Sequence, residues 1–200
     1  MTIKIVALMG KAGAGKDWVL NRLLHTERAN RWYSKVINCT TRPIRENEVD
    51  GVNYHYLTHE EFTEKLLSGD LLETTEFNNW FYGTLLSTLS EDKINIGVFN
   101  PEAVEILKED KRINLMVIYI EATDKVRLLR QLNREDNPDC HEIARRFLAD
   151  EQDFEDERIN EIQPAFGILN EGKTELEIQT MINIIEQGIA RFFYPKAKVN

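Results

Sequence analysis

A short stretch near the N-terminus combines three glycines with two lysines and a carboxylate. It reads GKAGAGKD, from Gly10 to Asp17, and it follows the apolar run Ile3–Met9. This is nearly the spacing of a phosphate-binding loop, in which backbone N–H groups cradle phosphates and the lysine reaches the β- and γ-phosphates. The run before it is typical of a buried strand, and the apolar residues after it recur at helical spacing. The motif requires this context, although a glycine-rich turn that matches by accident is the alternative.

The last residue of the stretch departs from the motif, which has a serine or threonine where this chain has Asp17. A carboxylate is a hard oxygen ligand, so Asp17 can hold Mg²⁺ directly or through water. It also adds negative charge beside phosphates, which is unfavourable unless the metal is present. The alternative is that Asp17 is an ordinary acid in the first helical turn, where the helix dipole favours it.

A second stretch, Asn38–Phe62, carries two arginines around a proline, followed by an acid and a tyrosine. Arg42 and Arg45 at this spacing on a loop can clamp one phosphate, and the Tyr54 hydroxyl can add a further donor. Taken alone, two exposed arginines are more often a solvated surface.

The order and spacing of these residues resemble the guanylate kinase family. The family pattern S-x-S/T-T-R-x-x-R-x-x-E-x-x-G-x-x-Y is matched by Thr40, Thr41, Arg42, Arg45, Glu48, Gly51 and Tyr54. A second block, which ends in Y-G-S/T, is matched by Glu73, Phe77, Tyr82, Gly83 and Thr84. The resemblance runs from about residue 3 to about residue 187 and thins after the second block.

The resemblance implies transfer of the γ-phosphoryl group of ATP to GMP or dGMP, with Mg²⁺ as cofactor. Glu73 would accept hydrogen bonds from guanine N1–H and the exocyclic amine, and Glu48 would orient the arginines. The predicted ATP-binding residues are Gly10, Lys11, Ala12, Gly13, Ala14, Gly15, Lys16, Asp17 and Asn170. The predicted GMP-binding residues are Asn38, Arg42, Arg45, Glu48, Tyr54, Glu73, Tyr82, Thr84 and Asn100. The predicted catalytic residues are Lys16 and, from the family's lid region, Arg130, Arg134 and Arg146.

Besides Asp17, two departures from the family pattern bear on the site. The family strand that ends in D-x-D reads Val98 and Asn100 here, and the serine before the threonines is Asn38. Asn100 can still bond to a base or ribose, and the Asn38 amide can donate to guanine O6. The carboxylate at the position of Val98 is lost from the strand end, and one has entered the loop. We therefore hypothesise that Asp17 supplies the metal-site charge that Val98 cannot.

The elements that would position these residues alternate between strand and helix. Apolar runs predict strands at Ile3–Met9, Val36–Thr40, Leu71–Phe77, Trp80–Thr84, Ile94–Phe99, Asn114–Ile120 and Phe166–Leu169. Helices are predicted after the loop, after a Thr58–Glu61 capping box, and at Glu102–Glu109, Thr123–Asn133, about His141–Arg158 and Thr174–Phe193.

This alternation predicts an α/β fold with a mostly parallel sheet flanked by helices, and the resemblance makes it a P-loop kinase. We expect a single domain, with a core of residues 1–37, 85–134 and 157–200. A GMP-binding lobe at 38–84 and a helical lid at 135–156 would be inserted into it.

The composition limits the classes of partner. The chain has 200 residues, 42% of them hydrophobic, so it can bury a substantial core. The net charge of −9 argues against a broad nucleic-acid or anionic-membrane surface. We expect a cytoplasmic monomer or homodimer whose partners are nucleotides, with neither nucleic acid nor membrane.

Two alternatives to guanylate kinase activity stay open on the sequence. The first is a (deoxy)nucleoside monophosphate kinase of broader or altered specificity, which the changes at Asn38, Val98 and Asn100 allow. The second is a non-catalytic binding module of the same fold. Such modules usually lack an intact phosphate loop, and the retention of Gly10, Gly15 and Lys16 argues against this reading.

Overall fold

The computed structural model describes residues 2–46, 48–77, 79–134, 136–172 and 174–195. The side chain of Phe77 and the predicted turn residue Asn78 lie outside the described residues, as do the first lid residue, Glu135, and the chain ends. The strands are β1 Ile3–Met9, β2 Tyr33–Lys35, β3 Cys39–Thr40, β4 His55–Tyr56, β5 Leu71–Phe77, β6 Trp80–Leu85, β7 Ile94–Val98, β8 Ile113–Glu121 and β9 Phe166–Leu169. The helices are α1 Lys16–Leu24, α2 Ala29–Trp32, α3 His59–Leu67, α4 Pro101–Glu109, α5 Asp124–Leu132, α6 Cys140–Asp153, α7 Asp156–Ile162 and α8 Glu175–Phe193.

The core is a parallel five-stranded sheet in the order β2-β7-β1-β8-β9. Alternate residues of β1 point to opposite faces, as a strand requires. Val6 and Leu8 pack in the cluster that includes α1 and α8, whereas Ile5, Ala7 and Met9 pack in the cluster that includes α4 and α7. β1 is therefore apolar on both faces, and the predicted α/β fold is confirmed.

A second, four-stranded sheet has the order β4-β3-β6-β5 and lies within the residues predicted as the inserted lobe, except for Leu85 at the end of β6. β3 pairs parallel to β4 and antiparallel to β6. Its small core contains Cys39, Phe62 and Leu85. The predicted capping box is present at α3, where the Thr58 side chain accepts from the Glu61 amide.

Two predicted elements are divided in the structure. The strand predicted at Val36–Thr40 is wrong as one element, because β2 ends at Lys35 in the core sheet and β3 begins at Cys39 in the second sheet. The helix predicted at about His141–Arg158 consists of α6 and α7. The interruption includes Phe154, which is buried and stacks on Tyr119 with ring centres 6.0 Å apart. The helix is therefore interrupted where an aromatic ring packs into the core, which a helical pattern alone does not reveal.

Candidate active site

A cleft of about 670 Å³ lies between the loop after β1, the second sheet and α6. Parallel strands end at one edge of a sheet, and ligands bind in α/β folds at that edge. The predicted site residues that line this cleft are Ala12, Asp17, Asn38, Arg42, Arg45, Glu48, Tyr54, Tyr82, Arg134 and Arg146. Residues from all three predicted regions therefore meet in one cleft.

The glycine-rich loop has the backbone that its sequence predicts. Gly13 and Gly15 have φ angles of +78° and +90°, a region that side-chain-bearing residues rarely adopt. A Cβ on Gly13 would also lie 2.5 Å from the Arg127 carbonyl oxygen of α5. The Lys16 ammonium donates to the carbonyls of Gly10 at 2.7 Å and Lys11 at 3.2 Å. Burial lowers the pKa of this lysine, because desolvation disfavours its charged form.

Two of the predicted site residues hold the loop from the side of α5 and β9. Arg130 donates from Nη1 to the carbonyls of Gly13 and Ala14, both at 3.2 Å, and from Nη2 to the Asn170 carbonyl at 2.8 Å. The buried Asn170 amide donates to the Ala14 carbonyl at 2.8 Å. Arg130 is not among the residues that line the cleft. These bonds tether two loop carbonyls, and the roles of Arg130 at the transferring phosphoryl group and of Asn170 at adenine stay predictions.

Arg134, which follows α5, and Arg145 and Arg146 of α6 also line the cleft. The guanidinium of Arg145 pairs with both oxygens of Glu142, and Arg146 Nε donates to Glu142 Oε1 at 2.6 Å. These bonds lower the pKa of Glu142 to about 2. Sequence reasoning missed Arg145, although it lies next to Arg146 on the same helix.

The loop between β3 and β4 carries Arg42, Arg45 and Glu48, which form a connected hydrogen-bond network. Arg42 is 8% exposed and pairs with both oxygens of Glu48, each at 2.9 Å. Glu48 also accepts from the Arg45 amide at 2.9 Å and from the Tyr56 hydroxyl at 2.8 Å. The bond from Arg42 contributes most to lowering the Glu48 pKa to about 2. The Arg42 guanidinium lies 5.5 Å from the ring centre of Tyr54.

Tyr56 was missed by the sequence analysis. Its hydroxyl bonds to Glu48, and its ring centre lies 5.7 Å from the Arg42 guanidinium. The available signal was its position two residues after Tyr54, because alternate residues of an extended segment face the same side.

A buried carboxylate lies at the other end of this lobe. Glu73 on β5 is 5% exposed, and the Thr84 hydroxyl contacts its Oε1 at 2.7 Å. Asn38 Oδ1 lies 3.1 Å from the same hydroxyl, whose single proton can serve only one of the two acceptors. Burial raises the pKa of Glu73 to about 7. Glu73, Thr84 and Asn38 thus form a chain of polar groups that begins in the lobe and reaches the cleft.

The end of β7 is arranged differently from the predicted site. Val98 lines the cleft, but Asn100 does not. Asn100 is instead the N-cap of α4, where its Oδ1 accepts from the Ala103 amide at 2.8 Å. Its predicted contact with GMP stays a prediction, and the residue has a structural function that the sequence analysis did not assign to it.

The parallel sheet, the glycine-rich loop after β1 and the basic cleft beyond it define a P-loop kinase fold. The family model described as guanylate kinase matches residues 2–175, so the chain belongs to the guanylate kinase family. Within the described residues, no helix is both long and apolar enough to cross a bilayer.

Known proteins support this assignment. The guanylate kinase of Malacoplasma penetrans is 29% identical over 189 residues, which cover 91% of this chain and 83% of that protein. The guanylate kinase of Prochlorococcus marinus is 33% identical over 150 residues, which cover 72% and 79%. The crystal structure of guanylate kinase from Anaplasma phagocytophilum has the same fold, with a TM-score of 0.60 at 20% identity over 93% of this chain and 86% of that chain. The predicted family and fold are confirmed.

Proposed function

We propose that the protein transfers the γ-phosphoryl group of ATP to GMP or dGMP, giving ADP and GDP or dGDP. The observation that carries this proposal is one cleft, which is lined both by the phosphate loop and by an acceptor clamp. The acceptor clamp consists of Arg42, Arg45, Tyr54 and Tyr82. The matched relatives from Malacoplasma penetrans and Prochlorococcus marinus are both named guanylate kinases, so neither the altered-specificity kinase nor the non-catalytic module is favoured.

The acceptor phosphate binds to Arg42, Arg45, Tyr54 and Tyr82. Among the described residues, the side-chain bonds of Arg42 use two hydrogens of Nη1 and one of Nη2. The Nε–H and the second Nη2–H share the other edge of the planar guanidinium, and this edge can bind two oxygens of one phosphate. Glu48 therefore orients Arg42 without occupying the edge that the phosphate needs.

Glu73 selects the base. Guanine presents two adjacent donors, N1–H and the exocyclic amine, and an ionised carboxylate can accept from both. Adenine lacks this pair, so it would leave the buried carboxylate without its partners. Asn38 lies beside Thr84 and can offer its amide to guanine O6.

The donor phosphates bind to the loop amides and to Lys16, with Arg130, Arg134 and Arg146 completing the positive site. An acceptor phosphate oxygen attacks the γ-phosphorus in line, the bond to the β–γ bridging oxygen breaks, and ADP leaves with that oxygen. The attacking oxygen is already anionic, so no general base is needed. Positioning and charge neutralisation therefore supply most of the catalysis.

Asp17 is the residue that would hold Mg²⁺. It is exposed, lines the cleft, and interacts electrostatically with Lys16 on the donor side and Tyr54 on the acceptor side. Among the described residues no group of three or more His, Cys, Asp and Glu forms a metal cage. One carboxylate together with substrate phosphates fits Mg²⁺, which seldom uses an all-protein cage. When bound, the metal neutralises phosphate charge.

We further propose that residues 38–84 and 135–156 close over the two nucleotides and exclude water. Closure would suppress transfer of the phosphoryl group to water. Residues from both segments line one cleft, Arg42, Arg45, Tyr54 and Tyr82 from the first and Arg145 and Arg146 from the second, which supports this proposal.

A coupled assay for ADP release tests the function. ADP should form with GMP or dGMP, and much more slowly with AMP, CMP or dTMP. Lys16→Met should lower turnover on the order of 10²–10³-fold, because a charge that stabilises the transition state is lost. Lys125→Met, an exposed change on α5, serves as the matched control. Equal rates with all five acceptors would contradict the guanine assignment.

A further inference from the structure

A fully buried arginine joins the phosphate loop to α6. Arg127 lies on α5, and its side chain is 1% exposed. Its Nε donates to the Ala12 carbonyl at 3.0 Å, and its Nη2 donates to Asp150 Oδ2 at 2.9 Å. Its Nη1 contacts Asp124 at 2.9 Å and Glu151 at 3.3 Å. One side chain therefore contacts the loop, its own helix and the lid helix.

The acids of α6 also contact the loop directly. Asp150 Oδ2 accepts from the Ala12 amide at 2.6 Å, and Glu151 Oε1 accepts from the Lys11 ammonium at 2.8 Å. Charge-assisted bonds of this kind are roughly twice as strong as neutral ones. Both contacts are made at Lys11 and Ala12, and Asp150 also interacts electrostatically with Lys16 at the junction with α1.

The same helix carries the lid arginines. Arg146 precedes Asp150 by four residues, so the two side chains lie one turn apart on one face of α6. Arg145, Arg146 and Asp150 all line the cleft. Because an α-helix moves as a rigid unit over one turn, contact of Asp150 with the loop sets the distance from the loop to the two arginines whenever α6 is docked.

A buried charge is not needed for stability at this place. An apolar side chain could fill the space beside Phe147, whose ring centre lies 4.6 Å from the guanidinium, and buried ion pairs often add little net stability. An apolar side chain could not, however, bond to both the loop carbonyl and the lid carboxylate. What Arg127 adds beyond an apolar side chain is therefore a fixed position of α6 relative to the loop.

We propose that Arg127 and Asp150 are positioning residues that dock α6 on the phosphate loop and thereby hold Arg145 and Arg146 over the transferring phosphoryl group. This inference rests on the proposed phosphoryl transfer.

The first test separates kcat from KM. Arg127→Met and Asp150→Asn should each lower kcat on the order of 10–100-fold, because a displacement of about 1 Å at a reacting group costs that much. The KM for GMP should stay within about twofold, since neither residue contacts the acceptor clamp. Arg158→Met is the matched control. It breaks another pair between helices, in which Arg158 bonds to Glu105 at 2.6 and 2.9 Å, and kcat should not change.

The second test needs no activity. Hydrogen exchange of the α6 amides in nucleotide-free protein should be faster in Arg127→Met and Asp150→Asn, while exchange in α8 is unchanged. The double variant should lose less kcat than the product of the two single losses, because both changes break the pair of Arg127 with Asp150, while each also removes a separate bond to Ala12. If the wild-type protein showed no GMP-dependent ADP release, the proposed function would fail, while the exchange result would still decide whether this docking contact exists.

Arg127→Lys keeps the charge but loses the forked donors, so it replaces Arg127→Met if that variant does not fold. A folded Asp150→Asn protein with wild-type kcat and wild-type α6 exchange would overturn the proposal. Tighter ATP binding with unchanged kcat would also overturn it, because Asp150 would then only compete with phosphate for the Ala12 amide.

Discussion

Guanine recognition should depend on pH through Glu73. Its pKa is raised to about 7 by burial, and only the ionised form can accept from both guanine donors. One unit below the pKa about one molecule in eleven is ionised, and one unit above it about ten in eleven are. The kcat/KM for GMP should therefore rise about tenfold between about pH 6 and about pH 8.

The same ionisation should lower the free energy of unfolding as the pH rises, whereas it raises kcat/KM for GMP. The folded pKa of Glu73 lies above the ordinary value of 4.5, so the folded protein holds this proton where the unfolded chain has lost it. Stability from this group is complete below about pH 4.5 and is lost as the pH rises through about 7. A shift of about 2.5 units corresponds to about 3 kcal/mol in the free energy of unfolding. Relative to wild type, Glu73→Gln should gain up to this amount between those pH values.

The assay is the ratio of kcat/KM for GMP in the wild-type protein to that in Glu73→Gln across this pH range. Both proteins use the same acceptor phosphate, so ionisation of GMP itself cancels. The glutamine amide can accept only one guanine donor and leaves the other unpaired, which should cost about 3–4 kcal/mol, or roughly 10²–10³-fold. A ratio that does not change with pH would refute the reasoning, as would undiminished preference of the glutamine variant for GMP over AMP.

Substitutions at three further positions test other parts of the protein. Asp17→Ser should impair turnover at limiting Mg²⁺, and equal or better turnover there would contradict the metal role. Tyr56→Phe removes one bond to Glu48, so the KM for GMP should rise up to about tenfold at constant kcat, and an unchanged KM would show that Glu48 is held without it. Asn100→Ala should lower the free energy of unfolding by about 1 kcal/mol in urea titrations, because α4 loses its cap. Asn100→Asp keeps a capping oxygen and should be nearly neutral, whereas equal destabilisation by both would argue against the cap.

Features that depend on local spacing could be predicted from the sequence. The loop from Gly10 to Asp17 follows β1 as predicted, because glycine conformations and apolar runs are properties of adjacent residues. The capping box of Thr58 and Glu61 is local in the same sense, since its two bonds span three residues. The pairing of Arg42 with Glu48 also lies within one short loop.

Pairing between distant segments could not be predicted in the same way. The strand expected at Val36–Thr40 is divided between two sheets. The Val36 amide donates to the Ile96 carbonyl in the core sheet, whereas the Asn38 carbonyl accepts from the His55 amide at the second sheet. The burial of Glu73 likewise depends on how the strands around it pack, and it is this burial that raises its pKa.

The three arginines of the segment R-L-L-R-Q-L-N-R show the limit most clearly. The sequence by itself determined a helix that carries Arg127 and Arg130 and is followed directly by Arg134, and the resemblance assigned the last two to phosphate. Only the tertiary structure decided that Arg127 is buried between the loop and α6, that Arg130 tethers loop carbonyls, and that Arg134 lines the cleft. The physical reason is that an arginine's role depends on its acceptors. For Arg127 and Arg130 the loop acceptors lie more than a hundred residues away along the chain, at Ala12 and Gly13.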